Sequence, residues 1–409
     1  MKGNHPVITL LGSNSGNNLG DAAILSSILE HLTKELPDAE FIVPTTKPSF
    51  TNTHYSKRYN VKAISMMPWT GSIRFVGIPT FAAIAKSDVA LICDGILFGK
   101  KLWNPFFNWL IALIFVLPFA KLVNCKVVCF SCGIGPFKSK ISQKMAKFVL
   151  NLCDLVIMRE NDSKQLAIDL GCTHPIEVTG DAAFVNPVSD HARGQQVAKE
   201  IGIDFTIPTL GINVTKYMDT WLNNDEKIAD KSAFLKMLAT SIKRARDELN
   251  EKIQVVVFCT HPMDEGAASE LANMLDGLKV FNSKYLSHDI QAVMRQCQLF
   301  MGMRFHSVVL ASAVEVPIIG LIYMPKVRGF MRLLNCEDYS LELGKLTEDS
   351  LTQTLKRAWN ERSSLKSRQK VVIDELKRGA LRAANLIRTR YFPNQNTAQN
   401  ASIDSAANF

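Results

Sequence analysis

Along the first half of the chain, short apolar runs alternate with longer segments in which apolar residues recur at helical spacing. The run Val7–Leu11 is rich in β-branched and aliphatic residues, as expected of a buried strand. In residues 22–36 the apolar positions form one helical stripe. This alternation predicts βαβ units around a parallel sheet. The strands predicted in this half are 7–11, 40–43, 89–93, 126–131 and 155–158.

The second half of the chain repeats the pattern after a polar connection. Residues 188–208 mix polar residues with glycine and proline, which is typical of a link between domains. An α/β protein with two domains facing each other across a cleft is therefore predicted. The strands predicted beyond the link are 209–214, 253–259, 279–281, 299–302 and 317–323.

Size and composition agree with a two-domain enzyme. The chain has 409 residues, which exceeds the usual size of a domain built around a single hydrophobic core. Its 47% hydrophobic and 21% charged residues are typical of a globular protein rather than of a disordered or fibrous one. The predicted division is an N-terminal domain 1–187, a link 188–208, a C-terminal domain 209–345, helices 346–391 that pack back across the domains, and a disordered tail 392–409.

The charge balance favours anionic partners. Lys and Arg number 47 against 38 Asp and Glu, which gives a formal net charge of +9 and favours partners such as phosphate esters or acidic lipid. The basic residues are spread through helical segments such as 236–246 and form no dense run. This distribution argues against nucleic acid as a partner.

Cysteine usage and the amino terminus indicate the cytoplasm. The nine cysteines are an odd number, and several lie in or beside apolar runs, where buried free thiols are common. Cys129 and Cys132 have C-x-x-C spacing without a second pair at zinc-site spacing, so a core strand is favoured over a metal or redox site. Residues 1–6 lead into the first strand without the features of a secretion signal.

Residues 102–120 contain no charged residue and are the nearest approach to a membrane span. If they crossed a bilayer, the strands on either side of them could not pair in one sheet. A buried or membrane-touching helix is therefore favoured.

A loop rich in glycine and asparagine follows the first strand and contains Gly16, Asn17, Gly20 and Asp21. Glycines allow backbone N–H groups to approach an anion at a helix N-terminus, so the loop could bind phosphate. Asp21 would repel an anion placed on the helix end and is better suited to capping the helix or orienting the loop. A tight turn followed by a capped helix is an equal alternative.

Three later strands of the first half also end in candidate binding residues. Asp94 and Gly135 stand in glycine-containing turns after two of them, and ligands of open α/β sheets collect at this carboxyl edge. Arg159 ends the third, and its guanidinium could bind a carboxylate or phosphate with two hydrogen bonds. Pairing of Arg159 with the neighbouring Glu160 is an equally good interpretation.

The strongest candidates in the second half are Arg304 and His306. The apolar strand before them breaks at Gly302, and both stand in apolar surroundings. An arginine and a histidine together at a strand-to-helix switch favour a functional site over a buried structural histidine. Further polar candidates beyond strand ends of this half are His261, Lys326 and Arg328.

Six segments, taken in order, resemble the polysaccharide pyruvyl transferase family. The resemblance extends from about residue 10 to residue 330. It implies a GT-B-like arrangement of two Rossmann-like domains, and an enzyme that transfers pyruvate from phosphoenolpyruvate to a sugar as a cyclic ketal, releasing phosphate. The segments are Gly16-Asn17-x-x-Gly20-Asp21, Gly133-Ile134-Gly135-Pro136, Arg159-Glu160-x-x-Ser163, Asp181-x-Ala183-Phe184, Gly302-Met303-Arg304-Phe305-His306 and Tyr323-x-x-Lys326.

The resemblance also implies roles for individual residues. Arg304 and Arg159, helped by Lys326, would hold the carboxylate and phosphate of the donor. His306 would act as general acid or base, since an imidazole with a pKa near neutrality can move the proton that ketal formation requires. This scheme needs no metal and no other cofactor. The sequence departs from the family pattern at residues 93–96 and at 297–298, which leaves the acceptor sugar open.

The expected partners are phosphoenolpyruvate and a saccharide or lipid-linked saccharide acceptor. The apolar stretch 102–120 adds the hypothesis of peripheral contact with the inner face of the cell membrane. Two other functions suit the same fold. A GT-B glycosyltransferase would use a nucleotide sugar instead, and a non-catalytic saccharide- or phosphate-binding protein would keep the arginines without needing His306.

Overall fold

In a computed structural model of the chain, the described residues are 2–3, 5–66, 72–73, 76–104, 108–216 and 230–395. Contacts divide the chain into two compact units. The first contains Met1–Gly16, Asp21–Val185 and Leu376–Phe409, and the second contains Asn17–Gly20 and Asn186–Glu375. The short segment Asn17–Gly20 thus groups with the second unit, although the predicted domains place it in the first. Most of the tail predicted to be disordered, 396–409, lies outside the described residues.

The first unit contains a seven-stranded sheet in which all neighbouring strands are parallel. Parallel strands that are covered on both faces consist of near-continuous hydrophobic runs, and Val89–Ile92 is entirely buried in this way. Every strand predicted in this half is present. In chain order the strands are β1 (Val7–Leu11), β2 (Glu40–Thr45), β3 (Val61–Ser65), the separate antiparallel pair β4 (Ser72–Ile73) and β5 (Val76–Gly77), then β6 (Val89–Ile92), β7 (Lys126–Cys132), β8 (Leu155–Met158) and β9 (Ile176–Val178).

The strand order across the first sheet is β3-β2-β1-β6-β7-β8-β9. The chain proceeds outward from β1 in one direction and then adds strands on its other side, as in doubly wound folds. The loops after β1 and β6 therefore stand where the direction reverses, which is the usual place for a ligand. The helices of this unit are α1 (Leu19–Glu35), whose first residues group with the second unit, α2 (Pro48–Tyr55), α3 (Ile78–Lys86), α4 (Leu110–Leu122), α5 (Lys140–Leu152) and α6 (Asn161–Asp169).

The charge-free stretch 102–120 overlaps helix α4, which begins only at Leu110, has 13 residues and ends at Leu122. Leu113, Val116 and Leu117 on α4 are fully buried in the core of the first unit, as predicted for a buried helix, while Phe115 is exposed. Among the described residues, no helix is long and apolar enough to cross a membrane. Contact of this region with a membrane surface stays a prediction.

The second unit contains a six-stranded sheet, again with only parallel neighbours. Its two central strands are buried along their whole length. All five strands predicted in this half are present, with ends that differ by at most one residue. The strands are β10 (Thr209–Asn213), β11 (Gln254–Phe258), β12 (Lys279–Phe281), β13 (Leu299–Gly302), β14 (Ile318–Ile322) and β15 (Ser340–Glu342).

The strand order of the second sheet is β12-β11-β10-β13-β14-β15. The direction of winding reverses between β10 and β13, so the loops after these two strands lie side by side at the carboxyl edge. The predicted α/β fold class with two Rossmann-like sheets is confirmed. The helices of this unit are α7 (His191–Ile201), α8 (Lys231–Leu249), α9 (Glu265–Met274), α10 (Ser287–Met294), α11 (Phe305–Ala313), α12 (Pro325–Leu333) and α13 (Glu348–Asn360).

The last helix, α14 (Arg362–Tyr391), has 30 residues and contributes to both units. In the second unit, the Gln369 side chain accepts a hydrogen bond from the backbone N–H of Ile318, 3.3 Å away. In the first unit, Arg388 donates to Glu35 on α1 at 2.7 Å. Each half of the helix is therefore fixed to the unit to which it belongs.

Candidate active site

Arg304 lies between the end of β13 and the start of α11. Its backbone is extended, with φ −73° and ψ 138°, so the chain leaves the sheet here and turns into the helix. Gly302 permits this close turn, because a Cβ on it would approach Ser307 Oγ at 2.8 Å. The sequence thus brings an arginine to the reversal point of the second sheet.

The guanidinium of Arg304 is held from one side. Its Nε donates to Oδ1 of Asp264 at 2.6 Å, and its Nη2 donates to the hydroxyl of Thr215 at 3.2 Å. Its backbone N–H donates to the Asn213 side chain at 3.0 Å. Within the described part of the chain, Nη1 of Arg304 donates no hydrogen bond, and the side chain is 18% exposed. The outer edge of the guanidinium can therefore bind an anion with parallel hydrogen bonds.

Asp264 connects three loops of the second unit. Its carboxylate is 1% exposed and also accepts from the backbone N–H and the hydroxyl of Thr260, at 3.2 and 3.4 Å. The Asn213 amide donates to the same carboxylate at 3.4 Å. A buried charge is tolerated only when it is paired and hydrogen-bonded, and Asp264 meets this condition. The loops after β10, β11 and β13 are thus tied together through one side chain.

His261 begins the turn that leads to Asp264, and its hydrogen bond determines which ring nitrogen carries the proton. Nδ1 accepts from the backbone N–H of Met263 at 3.1 Å, so in the neutral ring the proton is on Nε2. Burial lowers the pKa of His261, and the positive charge of Arg304 lowers it further, against the opposite effect of Asp264. At neutral pH this histidine is therefore an uncharged hydrogen-bond donor.

His306 is the second residue of α11, and its ring packs edge-to-face on Phe305 with centroids 5.1 Å apart. On another side it lies directly against the backbone of Gly20. The segment that carries Gly20 is anchored here, since Leu19 donates its backbone N–H to the Thr260 carbonyl at 2.9 Å. The structure thus brings His306, Arg304, His261 and the Asn17–Gly20 segment together in the second unit.

Lys326 and Arg328 lie in the first turns of α12, which follows β14 in the same sheet. Arg328 forms two hydrogen bonds of 2.7 Å with the carboxylate of Glu342, and both side chains are partly exposed. Lys326 is partly buried. These cations stand at the carboxyl edge as predicted, but Arg328 is already neutralised by a protein carboxylate.

Arg159 occupies the corresponding position after β8 in the first unit, in different surroundings. Its side chain is 3% exposed, Nε donates to Glu160 at 2.6 Å, and Nη1 donates to Asp181 at 2.8 Å. Burial works to lower the pKa of this guanidinium, but the two carboxylates outweigh burial and raise it. The interpretation of Arg159 as the partner of a local acid is the one the contacts support.

The remaining candidates hold loops of the first unit in shape. Asp94 has φ +58°, and its carboxylate accepts the backbone N–H of Ser13 at 2.6 Å. Gly16 and Gly135 have φ values of +74° and +81°, which favour glycine. Asp21 lies in the first turn of α1, where a negative side chain stabilises the helix. These contacts agree with the tight-turn interpretation of the glycine loop.

Sequence reasoning missed the residues that support the two arginines. Asp181 stands in one of the segments that resemble the family, and Asp264 lies three residues after His261, but the sequence alone indicates no role for either. Asn213 is the last residue of β10 and Thr215 lies two residues beyond it, so both follow an apolar run that is typical of a buried strand. A usable signal was present: a polar residue at the carboxyl end of a central parallel strand points to the edge where ligands bind.

The solved structures with a similar fold include UDP-N-acetylglucosamine 2-epimerases. A putative UDP-N-acetylglucosamine 2-epimerase from Listeria monocytogenes is 10% identical with a TM-score of 0.62, and the alignment covers 96% of this chain and 98% of that one. UDP-N-acetylglucosamine 2-epimerase from Neisseria meningitidis is 12% identical with a TM-score of 0.59, covering 95% and 100%. At such low identities the likeness shows the fold, which is GT-B-like.

Sequence comparison identifies the family within that fold class. The model of the polysaccharide pyruvyl transferase family matches residues 18–324. The chain therefore belongs to the polysaccharide pyruvyl transferase family, a family of transferases, and the resemblance found in its motifs is confirmed. A similar protein is the amylovoran biosynthesis protein AmsJ of Erwinia amylovora, which is 23% identical over an alignment of 384 positions that covers 84% of this chain and 90% of AmsJ.

Proposed function

We propose that the protein transfers pyruvate from phosphoenolpyruvate to a sugar as a cyclic ketal, in the synthesis of a polysaccharide or its lipid-linked precursor. Family membership supports a pyruvyl transferase. The relative AmsJ is described as a biosynthesis protein of amylovoran, which supports a role in polysaccharide synthesis. Phosphoenolpyruvate and the acceptor sugar are the substrates of this proposal, and no cofactor takes part.

The proposal rests on the hydrogen bonds that fix one edge of the Arg304 guanidinium and leave the other edge available to a ligand. Asp264 and Thr215 fix the guanidinium through Nε and Nη2, and a fixed planar fork is suited to a carboxylate or phosphate. Phosphoenolpyruvate carries both groups. Because Arg304 is only 18% exposed, hydrogen bonds to such an anion would form in a shielded site, where they are stronger than in water.

The chemistry requires one proton transfer to carbon, which we assign to His306. Two sugar hydroxyl oxygens bond to C2 of the donor, the bond from C2 to the phosphate oxygen breaks, and the methylene becomes a methyl group. Two hydroxyl protons are released, one of which ends on the methylene carbon and the other on phosphate. His306 lies two residues from Arg304 at the start of α11, and an imidazole can accept the first proton and deliver it.

The test is incubation of the protein with phosphoenolpyruvate and a panel of saccharide and lipid-linked saccharide acceptors. We expect release of phosphate together with a new ketal methyl signal in proton NMR. In D₂O each new methyl group should contain one deuterium, because the added proton comes from an exchangeable site. Nucleotide release from a nucleotide sugar, with no ketal, would contradict the proposal and indicate a glycosyltransferase.

Variants separate binding from chemistry. We expect His306→Ala to abolish turnover while phosphoenolpyruvate still binds, and Arg304→Ala to weaken donor binding by at least about tenfold, or about 1.4 kcal/mol. Isothermal titration measures the binding, and phosphate release measures turnover. Full turnover in His306→Ala would remove the acid/base assignment, and a binding protein without catalytic function would show donor binding with no ketal in any arm.

A further inference from the structure

The imidazole of His306 occupies the space in which a side chain on residue 20 would stand. A Cβ atom placed on Gly20 would overlap Cβ, Cγ and Nδ1 of His306. Rotation of the imidazole would move Cγ and Nδ1 away but would leave Cβ where it is. Only a residue without a side chain therefore permits this packing of helix α11 on the Gly20 backbone.

The backbone conformation of Gly20 does not itself require glycine. Gly20 is the second residue of α1, and it is absent from the glycines with positive φ, which include Gly16. An alanine at a helical position is favoured over glycine by up to about 1 kcal/mol. The contact with His306, rather than the fold of the loop, is thus the physical reason for a glycine here.

The segment that carries Gly20 is fixed to the second unit by its neighbours. Leu19 is 1% exposed and donates its backbone N–H to the Thr260 carbonyl at 2.9 Å. The backbone N–H of Gly20 donates to the side chain of Asn18 at 3.0 Å. Thr260 in turn donates to Asp264, the partner of Arg304. The surface against which His306 packs is therefore tied to the same carboxylate that holds the arginine.

We propose that Gly20 is a positioning residue: its missing side chain lets the imidazole of His306 pack against the Gly20 backbone and so fixes the ring relative to Arg304. The kinetic consequence rests on the proposed function, whereas the contact itself does not. In the glycine-rich motif after β1, the role of Gly20 is therefore to position His306, the general acid or base, rather than to bind phosphate.

The chain offers a matched control for this proposal. Gly266 is the second residue of α9, just as Gly20 is the second residue of α1. A Cβ on Gly266 would meet no atom within 4 Å. Both glycines lack positive φ, so Gly→Ala should be favourable at both positions on helix propensity alone. A different response of the two sites measures the contact with His306.

The kinetic experiment compares Gly20→Ala with Gly266→Ala. We expect kcat of Gly20→Ala to fall at least about tenfold while KM for phosphoenolpyruvate changes by less than about threefold, since the proton-transfer geometry is lost but Arg304 remains. Gly266→Ala should retain the wild-type kcat. Equal kcat values in the two variants would overturn the proposal.

A second experiment tests the contact without the reaction. In urea unfolding, Gly20→Ala should destabilise the wild-type chain but not a His306→Gly chain, because this background removes Cβ as well as the ring. Gly266→Ala should behave alike in both backgrounds. Absence of this coupling would overturn the inference even if ketal is formed. Coupling in a protein that forms no ketal would support the contact and sink the proposed function.

Discussion

The two units place an arginine at similar positions and use it differently. Arg159 follows β8 and Arg304 follows β13, each just beyond the carboxyl end of a buried parallel strand. Each donates to a buried aspartate, Asp181 or Asp264, at 2.8 and 2.6 Å. The exposed fractions of the two side chains differ, at 3% for Arg159 and 18% for Arg304. The acceptors differ as well: two carboxylates for Arg159, but one carboxylate and one hydroxyl for Arg304.

Arg159 is paired with two carboxylates, and its guanidinium packs against the backbone of Gly133. Glu160 also accepts from Ser163, whose hydroxyl accepts from the backbone N–H of Ile134. The arginine thus holds together the loop after β7 and the start of α6. Arg304 has one carboxylate and one hydroxyl. The same residue type is a structural element in the first unit and a candidate for binding an anion in the second.

The largest expected effect is the loss of stability when Arg159 is replaced. Arg159→Met leaves Glu160 and Asp181 buried or half-buried without their cation, and breaking a buried ion pair costs about 3–5 kcal/mol. We expect a loss of this size in the free energy of unfolding, measured in urea. Arg159→Lys, which keeps a cation, should recover part of it and provides a folded variant if the methionine variant does not fold.

If Arg159 instead binds the donor, the same variants would give a different result. Stability would change by less than about 1 kcal/mol, and KM for phosphoenolpyruvate would rise. That outcome would mean that Arg159, like Arg304, binds the donor.

A smaller effect is expected from Asp264→Asn, measured on activity. The amide keeps the size of the carboxylate but offers donors to Thr260 and Asn213, which are themselves donors, and it removes the charge that orients Arg304. We expect kcat/KM for phosphoenolpyruvate to fall by about tenfold, or about 1.4 kcal/mol, in protein that remains folded.

Asp289 provides the matched control in the same unit. Its buried carboxylate accepts two hydrogen bonds from Arg193, at 3.2 and 2.8 Å, and one from Ser189. Asp289→Asn should lower the free energy of unfolding without changing kcat/KM. Equal kinetic losses in both aspartate variants would mean that Asp264 acts on the fold alone.

Most of the fold could be predicted from the sequence because central parallel strands leave a strong pattern. The ten predicted strands are present, and nine of them lie inside the two sheets, whereas β12 lies at an edge. Apart from the short separate pair β4 and β5, the strands that the pattern does not predict are β3, β9 and β15, which lie at sheet edges and consist mainly of partly exposed residues. An edge strand covered on fewer sides needs no continuous apolar run, so its sequence resembles a loop.

The site could be predicted only in part. Arg304 and His306 are candidates from the sequence because a polar pair interrupts apolar sequence and their segment resembles a family motif. Asp264 and Gly20 act through contacts with residues that are 40 and 286 positions away in sequence. No local pattern encodes such pairings, since they arise when separate loops meet at one sheet edge.

The smallest expected effect concerns pH and compares one histidine from each unit. Burial lowers the pKa of His31 and of His261 below the value of 6.5 expected in the unfolded chain. His31 donates from Nε2 to the carbonyl of Val185 at 2.9 Å, whereas His261 lies beside Arg304. Both rings are thus neutral in the folded protein at pH values where the unfolded chain begins to bind protons.

The direction of the pH effect follows from this difference in proton binding. Well above pH 6.5 neither state is protonated at these rings, and their contribution to stability is complete. As the pH falls toward the lowered pKa values, the unfolded chain takes up more protons, so the free energy of unfolding decreases by at most about 1.4 kcal/mol per pH unit for each histidine. His31→Gln and His261→Gln should each reduce this slope in urea unfolding between about pH 5 and 6.5. Only His261→Gln should also change kcat/KM for phosphoenolpyruvate, because only the His261 ring lies beside Arg304, to which we assign donor binding. Equal kcat/KM values in the two variants would place His261 outside the site.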